Sequence, residues 1–164
     1  MSESGRAWVY GDGINTDLLA PAAYLKGSME ELAAHCLQDL DPDFARSVKE
    51  GDVFVAGDNL GIGSSREQAP QALQMLGIST VLAKSFGRIF YRNALNLGMP
   101  ALVCADTDRI RSGDRLRVDA TAGVVENLTS GETLACESLP PHLVEMVADG
   151  GLIPHLKKKL AGGR

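Results

Sequence analysis

The clearest pattern of apolar and polar positions lies in the middle of the chain. Val53, Phe54, Val55 and Ala56 form a short unbroken apolar run, as expected of a strand covered on both faces. A loop rich in glycine and serine follows. Ala69, Ala72, Leu73 and Leu76 then recur at helical spacing up to Gly77, a residue suited to closing a helix. Residues 80–83 (TVLA) read as a second buried strand, 89–97 as a second helix ending at Gly98 before Pro100, and 101–104 (ALVC) as a third strand. Strand–helix–strand–helix–strand with short links predicts a right-handed parallel βαβαβ core.

The flanks differ from this core. Residues 7–10 read as a short strand, followed by the polar turn GDGINTD. Helical spacing predicts a helix over 29–38 with Ser28 as its cap, and DLDPDF is punctuated as a connector. Downstream, RLRVD, GVVEN and ETLAC are short strands separated by turns, which predicts an antiparallel β appendage. From His142 to Leu160 the pattern is that of one or two helices, broken near Gly150-Gly151 and Pro154. Without internal repeats or low-complexity stretches, residues 1–164 read as a single α/β domain.

Composition narrows the function. A chain of 164 residues buries roughly 70% of its unfolded surface, so it needs no disulfide or structural metal. The formal charge is −5 with no long basic run, which argues against non-specific nucleic-acid binding. Lys157, Lys158 and Lys159 read as a solvated helix end. Cys36, Cys104 and Cys136 are widely separated, so no zinc or iron–sulfur site is expected in this chain, and Cys36 and Cys104 read as small buried apolar residues. His35, His142 and His155 stand apart in helical stretches, with no nucleophile or metal partner beside them. The N-terminus lacks a signal pattern and no apolar run reaches about 18 residues, so a cytoplasmic protein without membrane association is expected.

The loop GDNLGIGSSRE concentrates the candidate chemistry. It follows a strand of the parallel core and leads into a helix, where ligands of open parallel sheets gather. Gly61 and Gly63 let a ligand approach the backbone, and helix N-terminal N–H groups favour anions. Arg66 can hold a carboxylate through two parallel bonds, each charge-assisted bond contributing about 1.5–3 kcal/mol. Ser64-x-x-Glu67 and Ser65-x-x-Gln68 also fit capping boxes, which stabilise a helix start without any further role. Two serines and an arginine exceed what a cap requires; the anion could be a carboxylate or a phosphate. The third glycine of a dinucleotide fingerprint is replaced by Arg66, and the phosphate-loop lysine is absent.

GSSREQAP together with KSFGRIFYRNALNLGMP resembles the small subunit of the aconitase-type hydro-lyases. That group includes 3-isopropylmalate dehydratase, homoaconitase and related dehydratases of hydroxy acids. The likeness runs from GDGINTDLLAPAAYL through DPDFARSVKEGDVFVAGDN, over about residues 8–104, and implies a swivelling-type β/β/α domain. It further implies that Ser64 is the catalytic base, removing a proton from the carbon beside a carboxylate. By the same likeness Ser65 and Arg66 hold substrate carboxylates, the Thr16-Asp17 pair lies at the substrate, and Tyr24-Leu25-Lys26-Gly27 forms a mobile loop that selects the substrate side chain.

Dehydration of an unactivated hydroxyl needs a Lewis acid. The resemblance places it on a separate large subunit, as a [4Fe-4S] cluster, making this chain half of a two-subunit hydro-lyase. 3-Isopropylmalate, and hence leucine biosynthesis, is the first expectation; homoaconitate and 2,3-dimethylmalate are alternatives, and a stand-alone anion-binding regulatory module is the non-enzymatic one. Lys26 could read an additional carboxylate or point into water. Two positions depart from the family pattern: Ile62 stands where many relatives have cysteine, and Gly87 where alanine is common. Arg88 and Arg92, four apart on the following helix, could add positive potential near the site or serve in packing or an interface.

Overall fold

The structure of the protein is a computed structural model that describes residues 4–64 and 66–162. Strand β1 (Gly5–Val9) leads to a one-turn helix α1 (Thr16–Leu19), a 3₁₀ turn (Ala22–Tyr24), α2 (Met29–Ala34) and α3 (Phe44–Ser47). The core then runs β2 (Val53–Val55), α4 (Gln68–Met75), β3 (Thr80–Ala83), α5 (Arg88–Asn96) and β4 (Ala101–Val103). After a 3₁₀ turn at Thr107–Arg109 come β5 (Arg115–Asp119), β6 (Val124–Asn127) and β7 (Thr133–Ala135), and the chain closes with α6 (Pro141–Ala148) and α7 (Leu152–Ala161).

The expected α/β class and the parallel βαβαβ core are present. β2, β3 and β4 pair in parallel, and β5, β6 and β7 form the antiparallel part. β1 joins the two: Ala7–Val9 pair in parallel with Val53–Val55, while Gly5 and Arg6 pair antiparallel with Leu116 and Arg115. The result is one seven-stranded mixed sheet in the order β4-β3-β2-β1-β5-β6-β7. Its two ends curl together, for Glu137 N–H donates to Val103 carbonyl across the seam at 2.9 Å.

Burial explains the strands read from apolar runs. β2 and β3 are buried at every position, between helices outside and the rolled sheet inside. α4 buries Ala69, Ala72 and Leu73, as its spacing predicts, and Pro70 with them, while Leu76 is half-buried at the C-cap. Phe44 is fully buried and takes the edges of Trp8, Tyr10 and Phe54 at centroid distances of 5.4, 6.0 and 5.6 Å. Asp52, also buried, accepts from Arg6 N–H, Trp8 Nε1 and Lys49 N–H, so its carboxylate is satisfied where β1 and β2 begin. Both Cys36 and Cys104 are buried, and burial pushes the Cys36 thiol up to about 12.

Three local expectations are corrected. The helix from Met29 ends at Ala34 rather than 38, because Leu37 adopts a positive φ (62°) and its N–H turns to the Leu18 carbonyl. Ser28 does cap it, accepting from Glu31 N–H. The connector at 39–44 and the turn at 11–17 each run into a one-turn helix, α3 and α1. Pro154 is not a break: it lies in the first turn of α7, where a missing N–H costs no bond, and Gly150-Gly151 alone separates α6 from α7.

Deleting the ring of Phe44 leaves a cavity against three aromatic neighbours, so Phe44→Ala is expected to cost about 3–5 kcal/mol in denaturant unfolding. Asp149 joins α6 to α7 by accepting from His155 Nδ1 at 2.7 Å and Lys158 Nζ at 3.2 Å, and the His155 bond chiefly holds its carboxyl below the usual aspartate range. A depressed pKa in the folded state stabilises above the unfolded value, about 4, and that contribution is lost as pH falls through the folded one. Asp149→Asn should therefore melt earlier than the wild type at pH 7, with the gap closing at pH 3; an equal gap at both would reject the coupling.

Candidate functional site

The loops after β1, β2 and β3 leave the sheet at its carboxyl end and interlock. Gly57 N–H donates to Gly11 carbonyl, Gly13 N–H to Asp58 carbonyl, and Gly61 N–H to Ile14 carbonyl at 2.7 Å. On the other side, Leu60 N–H donates to Ser85 carbonyl and Gly87 N–H to Leu60 carbonyl. The segment 57–62 is thus held between two neighbours, although it is an irregular loop. Gly61, at φ 83°, lies so close to α5 that a Cβ there would run into the Phe90 ring. Gly87 has a related reason: a Cβ would sit 2.8 Å from the Gly61 carbonyl oxygen, so an alanine requires the two turns to separate slightly.

Within this frame the residues singled out in the sequence meet. Thr16 N–H donates to Ile62 carbonyl, and the buried Thr16 hydroxyl donates to Ser64 carbonyl at 2.9 Å. Arg66 N–H donates to the same Ser64 carbonyl, again at 2.9 Å. The Ser64 main chain is therefore fixed from two sides while the residue itself is exposed. Arg66 Nη1 donates to Asp17 Oδ1 at 2.8 Å and to Ala20 carbonyl at 3.0 Å. The Arg66 hydrogen bond is the main cause holding the Asp17 carboxyl below its ordinary range. Both bonds use one nitrogen of a group with five N–H donors in a planar fork. Asn15 caps α1 by accepting from Leu18 N–H, which presents Thr16 and Asp17 toward the loop.

The capping-box reading of Ser64 does not hold. α4 begins at Gln68 with Glu67 in the cap position, and Glu67 makes no side-chain cap bond. Ser64 lies a full turn upstream, so its hydroxyl is not spent on the helix. Ser65 lies outside the described residues.

Residues 22–27 follow α1 directly. Tyr24 is half-buried, its ring parallel to that of His35 at 3.8 Å, whereas Lys26 and Gly27 are exposed. Ile62 and Ile89 are exposed near the loop, with Arg88 and Arg92 exposed on the first turns of α5. The three cysteines lie elsewhere: Cys36 past α2, and Cys104 and Cys136 at the seam of the sheet, where Cys104 Sγ is 3.7 Å from the Ala135 carbonyl. None is placed to hold a cluster beside Ser64.

Two other features lie outside this site. A cavity of about 500 Å³ opens at the opposite end of the parallel strands, lined by Glu50, Val53, Thr80, Pro100 and Leu116, and contains none of the candidate residues. Among the described residues one group of possible metal ligands was missed by sequence reading: Glu145, Asp149 and His155. Their separation along two helices gave no motif, and the ammonium of Lys158 already lies 3.2 Å from Asp149 and 3.6 Å from Glu145. Among the described residues no helix is long and apolar enough to cross a membrane.

Comparison with known proteins follows the same outline. Residues 39–107 match the aconitase C-terminal domain family. The 3-isopropylmalate dehydratase small subunit of Wolinella succinogenes is 48% identical over 98% of this chain and 97% of its own length. The isopropylmalate/citramalate isomerase small subunit of Methanocaldococcus jannaschii is 47% identical over 96% of this chain and 95% of its own. A crystal structure of a 3-isopropylmalate dehydratase chain from that organism superimposes with a TM-score of 0.93 at 43% identity, covering 98% of this chain and 96% of that one. With full-length identity of this order and a shared sheet, the chain belongs to the 3-isopropylmalate dehydratase small-subunit family of aconitase-like hydro-lyases.

Proposed function

We propose that residues 1–164 act as one swivel-type domain, the small subunit of a cytoplasmic two-subunit hydro-lyase that isomerises 3-isopropylmalate by dehydration and rehydration. The observation that carries this reading is the exposed Ser64, its main chain fixed by Thr16 and Arg66, two residues from a guanidinium held by Asp17. The names of the relatives support the substrate. Exposed Lys26 favours the reading in which it points into water rather than reading a third carboxylate.

In this reading Ser64, having first lost its own proton to solvent, acts as the alkoxide: it takes the proton from the carbon beside a substrate carboxylate and becomes the neutral hydroxyl. A serine hydroxyl is a poor base in water, so the step needs fixed positive groups and exclusion of solvent. Arg66 supplies the charge and grips the carboxylate through its remaining donors, while Asp17 and Ala20 hold the fork in place. Thr16 acts through Ser64, keeping its backbone from shifting when the hydroxyl reacts. Gly61 and Gly63 allow close approach of substrate to the loop, and Ser65 holds a second carboxylate oxygen. Tyr24, Leu25, Lys26 and Gly27 border the substrate side chain.

The leaving hydroxyl requires a Lewis acid that the cysteines of this chain are not placed to bind. A [4Fe-4S] cluster on the large subunit would supply it, polarising the departing hydroxyl. The exposed Ile62, two residues before Ser64, and the exposed Ile89 on the first turn of α5 are the kind of surface such a partner covers.

The test is reconstitution with a large subunit whose cluster is rebuilt anaerobically, following the absorbance of the unsaturated acid. Turnover of 3-isopropylmalate by the pair, and none by either chain alone, is expected. Ser64→Ala should lower kcat by about 10²–10⁴-fold with KM little changed, as for loss of a general base; retention of most of the rate would move the base elsewhere. Arg66→Lys should raise KM about tenfold or more, because a lysine cannot present the two-pronged fork.

A further inference from the structure

We propose that His35 is a positioning residue for substrate selection: its ring holds Tyr24, and with it residues 22–27, in register with the Arg66–Asp17 pair. The inference rests on the proposed function, in which that segment borders the substrate side chain.

The platform under the stack is rigid. His35 caps α2, where Leu32, Ala33, Cys36 and Leu37 are all buried. Leu37 N–H donates to Leu18 carbonyl at 2.9 Å, tying the platform to α1. Gln38 fixes the plane of the imidazole, its Oε1 lying 2.7 Å from His35 Nδ1. Against that plane the Tyr24 ring lies parallel, 3.8 Å away and tilted by 1°.

The segment itself has few other polar anchors, although Tyr24 and Leu25 also pack partly against the hydrophobic core. Its start lies beside the site, because the carbonyl of Ala20, two residues before Ala22, accepts from Arg66 Nη1 at 3.0 Å. Beyond that it makes the turn bonds Tyr24 N–H to Pro21 carbonyl, Leu25 N–H to Ala22 carbonyl and Gly27 N–H to Tyr24 carbonyl. Turn bonds set the local shape but not the place of the turn over the site. The ring stack, together with that packing, sets the place. Losing it loosens the turn, most at the exposed Lys26 and Gly27, relative to Arg66, which changes how large a substituent fits without altering the base or the carboxylate grip.

The test uses the reconstituted pair with two substrates, 3-isopropylmalate and the smaller citramalate, and the variants His35→Ala and His35→Phe. His35→Ala should raise the KM for isopropylmalate relative to citramalate about fivefold, the scale of one lost ring contact, with kcat on both within about twofold. His35→Phe, which restores a flat ring, should bring the ratio back. An unchanged KM ratio in His35→Ala, or an equal fall of kcat on both substrates, would overturn the proposal. A second readout needs no turnover: trypsin cleavage after Lys26 in the full-length small subunit should quicken about fivefold in His35→Ala and not in His35→Phe, relative to its other cleavage sites. Equal rates at Lys26 in all three proteins would overturn the positioning role. If the wild-type pair turns over neither acid while His35→Ala still speeds cleavage at Lys26, the proposed function fails and the loop positioning stands.

Discussion

The parallel pairing of Ala7–Val9 with Val53–Val55 is the contact on which the rest of the molecule depends. Parallel strands leave the sheet at the same end, so the chain after β1 and the chain after β2 emerge side by side. Their backbones then interlock through Gly57 with Gly11, Gly13 with Asp58, and Gly61 with Ile14. This brings Thr16 to Ser64 and Asp17 to Arg66, partners 48 and 49 residues apart in sequence. Register matters as much as direction. A slip of one residue would reverse which side chains of β1 face inward, displacing Ala7 from the interior and Trp8 from Asp52 and Phe44.

The remainder of the sheet supports that pairing. β1 is a central strand because β5 covers its other edge, and the roll that brings Glu137 to Val103 leaves β4 and β7 without open edges at that point. Beneath it, Phe44, Phe54, Tyr10 and Trp8 fill the space between β1, β2 and the helices with ring contacts. A stiff sheet with irregular but hydrogen-bonded loops at one end fits the role proposed for Ser64, which needs a fixed position. The site is open: Ile62, Gly63 and Ser64 are all exposed. In the proposed assembly the partner closes it, bringing the Lewis acid to the hydroxyl of a substrate whose carboxylate this chain already grips. Charge stabilisation of an alkoxide is weak in water and strong once water is excluded. That difference is a physical reason for the two halves to work only together.

Much of this was legible in the chain. TVLA and VFV read as buried strands because sequences covered on both faces lose their polar alternation. α4 and α5 declared themselves through spacing and through the glycines that follow them, and Ser28 marked the start of α2. The four-residue helices α1 and α3 did not, because one turn is too short to show a period. The early end of α2 at Ala34 was hidden for another reason: Leu37 is bent by a bond to Leu18, which no local pattern encodes. Nor did local pattern separate Ser64 as a cap from Ser64 as a free hydroxyl, since S-x-x-E satisfies the capping rule whether or not the helix begins there.

The sequence by itself determined the candidates for chemistry: a glycine-flanked Ser64 and Arg66 on one loop, the Thr16-Asp17 pair on another through the family resemblance, and no cysteine cluster. Residue type, spacing and motif likeness are all local features of the chain. Only the tertiary structure decided that the two loops touch, that Thr16 spends its hydroxyl on the Ser64 backbone, that Gly87 lies against Gly61, and that His35 holds Tyr24. Those relations arise from strand order and sheet closure, which depend on burial summed over the whole chain. No short stretch of residues contains that information.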